Sequence, residues 1–129
     1  MKAIFWILLL SVFACQERKQ AMKDKPDAIR DLLIDRSFWQ RKAGPQPQGS
    51  IVGTHRFTIT NTSQRYVYQH IKIRFDYYDR GYHKIDSALH VIERTIEPRS
   101  AIKIDTVETK LNKEGAMTAT ATIVNASVD

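Results

Sequence analysis

From Ile71 to Tyr77 the chain alternates strictly. Ile71, Ile73, Phe75 and Tyr77 are apolar or aromatic, and Lys72, Arg74 and Asp76 between them are charged. A period of two is the mark of a strand with one face in a core and the other in water. The stretch Val67–Asp79 therefore predicts a central strand with Phe75 and Tyr77 inward. The alternation recurs on both sides of it. In Ile51–Asn61, Ile51, Gly53, Phe57 and Ile59 oppose Thr54, Arg56, Thr58 and Thr60. Ile102 and Ile104 alternate with Lys103 and Asp105, and Met117, Ala119, Ala121 and Ile123 alternate with Thr118, Thr120 and Thr122. Lys84–Glu93, carrying Ile85, Leu89 and Val91, is less regular. In Leu33–Arg41 β-branched and aromatic residues predict a first strand.

Between these runs lie turn signals. Asn61-Thr62-Ser63-Gln64 can bond its own backbone, which predicts a hairpin joining the strands on either side. Gly81 after Asp79-Arg80 can take a positive φ. Pro98-Arg99-Ser100 and Asn112–Gly115 are further turns, and Ala43–Ser50 is a loop on composition. Pro26-Asp27 opens a helical turn with Ile29, Leu32 and Leu33 on one face. Six to seven strands without a long helix predict an all-β, antiparallel β-sandwich, with an OB-type barrel as the structural rival. One inner face is expected from Phe57, Ile59, Ile71, Ile73 and Phe75, the other from Ile102, Ile104, Met117 and Ile123.

The first residues read as an address. Met1-Lys2 is basic, and Ala3–Ala14 is an uncharged apolar run. That run is shorter than the roughly 17–25 residues of a spanning helix and matches the core of a secretory signal peptide. It ends Val12-Phe13-Ala14-Cys15, which resembles the lipobox of bacterial lipoproteins. In that family the peptide is cut before the cysteine and the thiol is acylated. Phe13 departs from the small or aliphatic residue usual there. Val12 and Ala14 also fit ordinary cleavage after Ala14, which would release a secreted protein. The expected organisation is a signal peptide over 1–14, a tether over 15–30 from lipidated Cys15 through the charged Gln16–Lys25 to the helical turn, and a sandwich over 31–129.

Composition adjusts this picture modestly. The 129 residues are 43% hydrophobic and carry a formal charge of +6, enough for a packed core and mildly favourable to anionic partners. Cys15 is the single cysteine, which excludes a disulfide within the chain and any multi-cysteine metal site.

Phe75-Asp76-Tyr77-Tyr78-Asp79 resembles the Phe-x-Leu-Tyr-Asp signature of the FxLyD domain, an extracytoplasmic module of lipoproteins and secreted proteins. Val52-Gly53-Thr54, Ile59-Thr60-Asn61-Thr62-Ser63, Gly81 and Pro98-Arg99-Ser100 accompany it in the family's order, over roughly Ile51–Val107. Tyr77 stands where the family has leucine, and Arg99 where it usually has the glycine of a Pro-Gly turn. The resemblance implies an immunoglobulin-like sandwich with no catalytic residues and no cofactor.

The residues themselves point the same way on chemistry. No Gly-rich phosphate loop, Gly-x-Ser-x-Gly elbow or His-Glu-x-x-His occurs, and His55, His70, His83 and His90 lack metal-ligand spacing, so no metal is expected. A small hydrolase would need a cleft that the sequence gives no sign of. Asp76 on the solvent face and Asp79 at the strand end read as solvation and turn-making. The candidate binding face is Arg56, Lys72 and Arg74, joined by His70, with Tyr68 and Tyr78 on the same stripe. Basic groups with interleaved aromatics suit anionic polymers, although an ordinary solvated sheet face has the same look. Asp86-Ser87-Ala88 and Asp105-Thr106-Val107 resemble sites at which some bacteria O-glycosylate exported proteins.

The expected function is thus a non-enzymatic, lipid-anchored cell-envelope protein, a protein-interaction module facing the periplasm or the cell surface, without cofactor and without nucleic acid as partner. The alternative is a binding protein for anionic envelope glycan or lipopolysaccharide through the basic sheet face.

Overall fold

The computed structural model describes residues 25–43 and 51–129. Cys15 and the lipobox-like segment, the tether as far as Asp24, and most of the expected loop before Ile51 lie outside the described residues. Pro26-Asp27 does open a helical turn. The Asp27 carboxylate accepts from the backbone N–H groups of Ile29 and Arg30 and caps α1 (Ala28–Asp31). The chain then runs through β1 (Leu32–Ala43), β2 (Ile51–Asn61), β3 (Tyr68–Tyr78), β4 (Lys84–Ile92), β5 (Ala101–Leu111) and β6 (Thr118–Val128).

These strands form two antiparallel sheets of three, ordered β1-β2-β5 and β4-β3-β6. Phe57, Ile59 and Ile104 of the first sheet pack against Ile71, Ile73, Phe75, Tyr77 and Ile123 of the second in one buried core. The inward setting of Phe75 and Tyr77 holds, and both are fully buried.

The hairpin expected between β2 and β3 does not form, because the two strands belong to different sheets. Asn61 is the reason. Its Oδ1 accepts from the Ser63 N–H (3.0 Å) and hydroxyl (2.7 Å), while its Nδ2 donates to the carbonyls of Tyr66 (2.7 Å) and Ile96 (3.0 Å). The turn chemistry is present, but it fixes a buried corner that carries the chain from one sheet to the other. The expected inner faces regroup accordingly. Phe57 and Ile59 share a sheet with Ile102 and Ile104, and Ile71, Ile73 and Phe75 share one with Ile123. Met117 is exposed and Ala116 is buried in its place.

Bulges change faces that the alternation alone assigns. His70 has φ 49°, at a register break in β3 between Gln69 and Lys72. The extra residue flips the parity, so Tyr68 points into the core rather than joining the basic stripe. In β4 the register breaks at Ile85, and Leu89 and Val91 turn outward. After β3 the positive φ falls on Tyr82 (61°) and not on Gly81. Asp79 makes that turn as expected, accepting from the N–H groups of Gly81 and His83, each at 2.9 Å.

Candidate functional site: the outer faces of the two sheets

Arg56 lies between the buried His55 and Phe57 and so faces outward from the first sheet. Lys72 and Arg74 lie among the buried Ile71, Ile73 and Phe75 and face outward from the second. The expected face of Arg56, Lys72 and Arg74 is therefore split between opposite outer surfaces. Lys72 and Arg74 stay together on β3, and Arg56 joins other residues on β1 and β5.

On the second sheet the positive charge is largely answered from within. Asp76 shares the outer face yet is buried beneath its neighbours, which corrects its reading as a solvated group. Its carboxylate accepts from Arg74 Nε (3.0 Å), Lys84 Nζ (3.0 Å) and the Ser87 hydroxyl (2.9 Å). Burial alone would raise the Asp76 pKa. The hydrogen bonds from Lys84, Arg74 and Ser87 outweigh it and hold the carboxyl below its usual value. What remains for a partner is Lys72 and an apolar margin. Leu89 pairs with Arg74 and Val91 with Lys72 across the ladder, 61% and 36% exposed.

On the first sheet, Arg56 borders an open notch of about 260 Å³ with Arg36, Phe38, Phe57, Thr58 and Lys103. Phe38 is 62% exposed there.

A polar cluster missed from the sequence sits inside the core. His55 Nε2 lies 2.6 Å from the Tyr77 hydroxyl, which also bonds the Thr109 hydroxyl, and Thr109 donates to the Gly53 carbonyl at 3.4 Å. His55 stacks on Phe75 with ring centroids 3.9 Å apart. Burial pushes the His55 pKa down to about 4, so the ring is neutral at pH 7. The signal was available, since the parity that turns Gly53 and Phe57 inward turns His55 inward too. The other histidines are scattered. His70 meets Glu93 (2.6 Å), His83 meets Asp79 (3.3 Å), and His90 lies half-buried on β4. Among the described residues no three His, Cys, Asp or Glu side chains are grouped to hold a metal. Ser87 and Thr106 of the two glycosylation-like triplets are both exposed, and the Ser87 hydroxyl is engaged by Asp76.

No family model and no curated protein matches the chain. Among solved structures it is similar to the X-ray structure of a Northeast Structural Genomics Consortium target, at 11% identity and a TM-score of 0.45, over 79% of this chain and 88% of that one. At that score the likeness assigns neither family nor activity.

Proposed function

We propose that this chain is a non-enzymatic, lipid-anchored protein of a bacterial cell envelope, whose folded domain binds a protein partner. The observation that carries the binding role is the outer face of β3 and β4. Leu89 and Val91 stand in water on an edge strand beside Lys72 and Arg74. Apolar side chains beside the Lys72 cation suit a protein surface with an apolar centre and an acidic margin. The non-enzymatic reading rests on the sequence, which lacks any nucleophile–base or metal motif.

Strand order supports an immunoglobulin-like sandwich. The sheets β1-β2-β5 and β4-β3-β6 correspond to A-B-E and C′-C-F of that architecture, and among the described residues no strand corresponds to G. Two features favour the FxLyD type. Phe75 and Tyr77 of the signature segment both fill the core, and Arg99 has φ 57°, the backbone that the family's turn glycine serves. The anchor reading rests on Cys15 at the end of an apolar leader. The roughly ten residues between Cys15 and Lys25 could extend about 35 Å, enough to hold the domain off a membrane.

A photo-crosslinking residue at Leu89, in the lipidated protein in its native membrane, should capture a protein that Leu89→Glu with Val91→Glu releases. Capture of lipid alone, or capture indifferent to those changes, would overturn the partner reading. Radiolabelled palmitate should enter the wild type and not Cys15→Ala.

A further inference from the structure

Two bulges face each other across β2. On β1 the register passes from Asp35↔Thr58 to Phe38↔Arg56, so Arg36 and Ser37 oppose the single residue Phe57. On β5 it passes from Val107↔His55 to Ile104↔Phe57, so Asp105 and Thr106 oppose the single residue Arg56. The extra residue Arg36 has φ 49°, a conformation that a non-glycine side chain adopts at a cost. Bulges commonly re-aim side chains at binding sites, and the strain they carry concentrates there. Here they gather Arg36, Arg56 and Lys103 around the exposed ring of Phe38.

The charges in this notch are available. Among the described residues neither Arg36 nor Arg56 makes an ion pair or side-chain hydrogen bond. Lys103 has only Asp105, at 3.7 Å, and both side chains are mostly in water, where such a pair is weak. This differs from the second sheet, where Asp76 occupies Arg74 and Lys84.

We propose that this notch binds a single anionic sugar residue, one ring bearing a phosphate or a carboxylate. Planar guanidinium groups match the paired oxygens of either anion, and Lys103 adds a third positive charge. The negative face of the Phe38 ring accepts the C–H face of a pyranose, whose hydrogens carry partial positive charge. The Thr58 hydroxyl can donate to or accept from a ring hydroxyl. At about 260 Å³ the notch falls just below the roughly 300–1,000 Å³ of sites for drug-sized ligands, which suits one ring. The site is separate from the Leu89 face and stands or falls without it.

The test is calorimetric titration of the full chain, held in detergent micelles, with glucuronate, glucose 6-phosphate, inorganic phosphate and glucose. Both anionic sugars should bind, with glucose and inorganic phosphate each weaker by roughly tenfold. Arg36→Gly suits the positive φ while removing the cation, so its melting temperature should equal or exceed that of the wild type while affinity for the anionic sugars falls roughly tenfold. Arg56→Gln should lose affinity likewise, with an unchanged melting temperature. Phe38→Ser should weaken the sugars and leave inorganic phosphate unchanged, and Lys72→Gln on the opposite face should alter nothing. Failure of both anionic sugars to bind, or affinity unmoved by Arg36→Gly and Arg56→Gln, overturns the proposal. Inorganic phosphate binding as tightly as glucose 6-phosphate, with Phe38→Ser silent, overturns the sugar assignment.

Discussion

The His55 imidazole of one sheet and the Tyr77 hydroxyl of the other lie 2.6 Å apart inside the core, a polar link set among the apolar contacts of Phe57 and Phe75. A tyrosine buried this deeply needs a partner for its hydroxyl. His55 and Thr109 supply it.

Neutral His55 makes stability depend on pH in a defined window. Burial lowers its pKa to about 4 in the folded chain, against about 6.5 when unfolded. Below pH 6.5 the unfolded chain gains a proton that the folded chain refuses. Stability is therefore complete above about pH 6.5 and falls as pH drops towards 4, by about 3 kcal/mol. Asp31 and Asp76 are both held below the usual carboxylate value, so their contributions are lost only below about pH 4. Urea unfolding of wild type should weaken steadily from pH 7 to 4.5, whereas His55→Gln should be flat over that range. A wild type equally flat would contradict a buried neutral His55.

Gly53 makes room for the same cluster. A Cβ there would stand 2.9 Å from the Tyr77 hydroxyl, 3.0 Å from Thr109 Oγ1 and 3.3 Å from His55 Nε2. Gly53→Ala should cost about 1–3 kcal/mol through crowding. In a Tyr77→Phe background the nearest atom is gone, and the cost should shrink by at least about 0.5 kcal/mol. A double-mutant cycle by chemical denaturation measures this, and strict additivity would rule out the crowding account.

Face alternation was legible wherever a strand runs unbroken, as from Ile71 to Tyr77 and from Phe57 to Asn61. It failed at bulges. A bulge adds one residue, reverses every face beyond it, and has no sequence mark when its positive φ falls on His70 or Arg36 instead of glycine. Tyr68 was misplaced for that reason. Alternation also reports which face a residue takes and not which strand lies beside it. Asn61 uses the same side-chain bonds to build an inter-sheet corner as it would in a hairpin turn, so Arg56 was grouped with the wrong sheet. The burial of Asp76 was hidden because it depends on Lys84 and Ser87, which only the β3–β4 pairing brings alongside.

The first turn is tied down by a second buried tyrosine. Tyr68 Oη donates to Asp31 Oδ2 at 2.5 Å and accepts from the Asp27 N–H at 3.0 Å. Burial would raise Asp31, but hydrogen bonds from Arg30 and Tyr68 keep it below its usual value. Tyr68→Phe should cost about 1–2 kcal/mol, because Asp31 keeps its burial and loses a donor. Trypsin should then cut after Arg30 markedly faster than in wild type. Unchanged cleavage would show that α1 is held instead at the Asp31 carbonyl, which accepts from the Thr62 N–H and hydroxyl.

Arg99 offers the opposite sign of change. Glu97, Pro98, Arg99 and Ser100 form a turn closed by the Ser100 N–H on the Glu97 carbonyl at 3.3 Å, with Pro98 second and Arg99, at φ 57°, third. That is the sequence logic of a type II turn, whose third position favours glycine. An arginine there is strained by about 1–2 kcal/mol, and glycine removes the strain while adding about 0.5–1 kcal/mol of unfolded-state entropy. Arg99→Gly should therefore raise stability by about 0.5–1 kcal/mol. Arg99→Val should lower it, since a β-branched side chain tolerates this φ least. The Arg99 N–H donates to the Ser63 carbonyl at 3.2 Å, a bond that both replacements preserve. Thermal melts of the three proteins side by side decide it. If glycine destabilises, the guanidinium of Arg99 contributes more than its backbone strain removes.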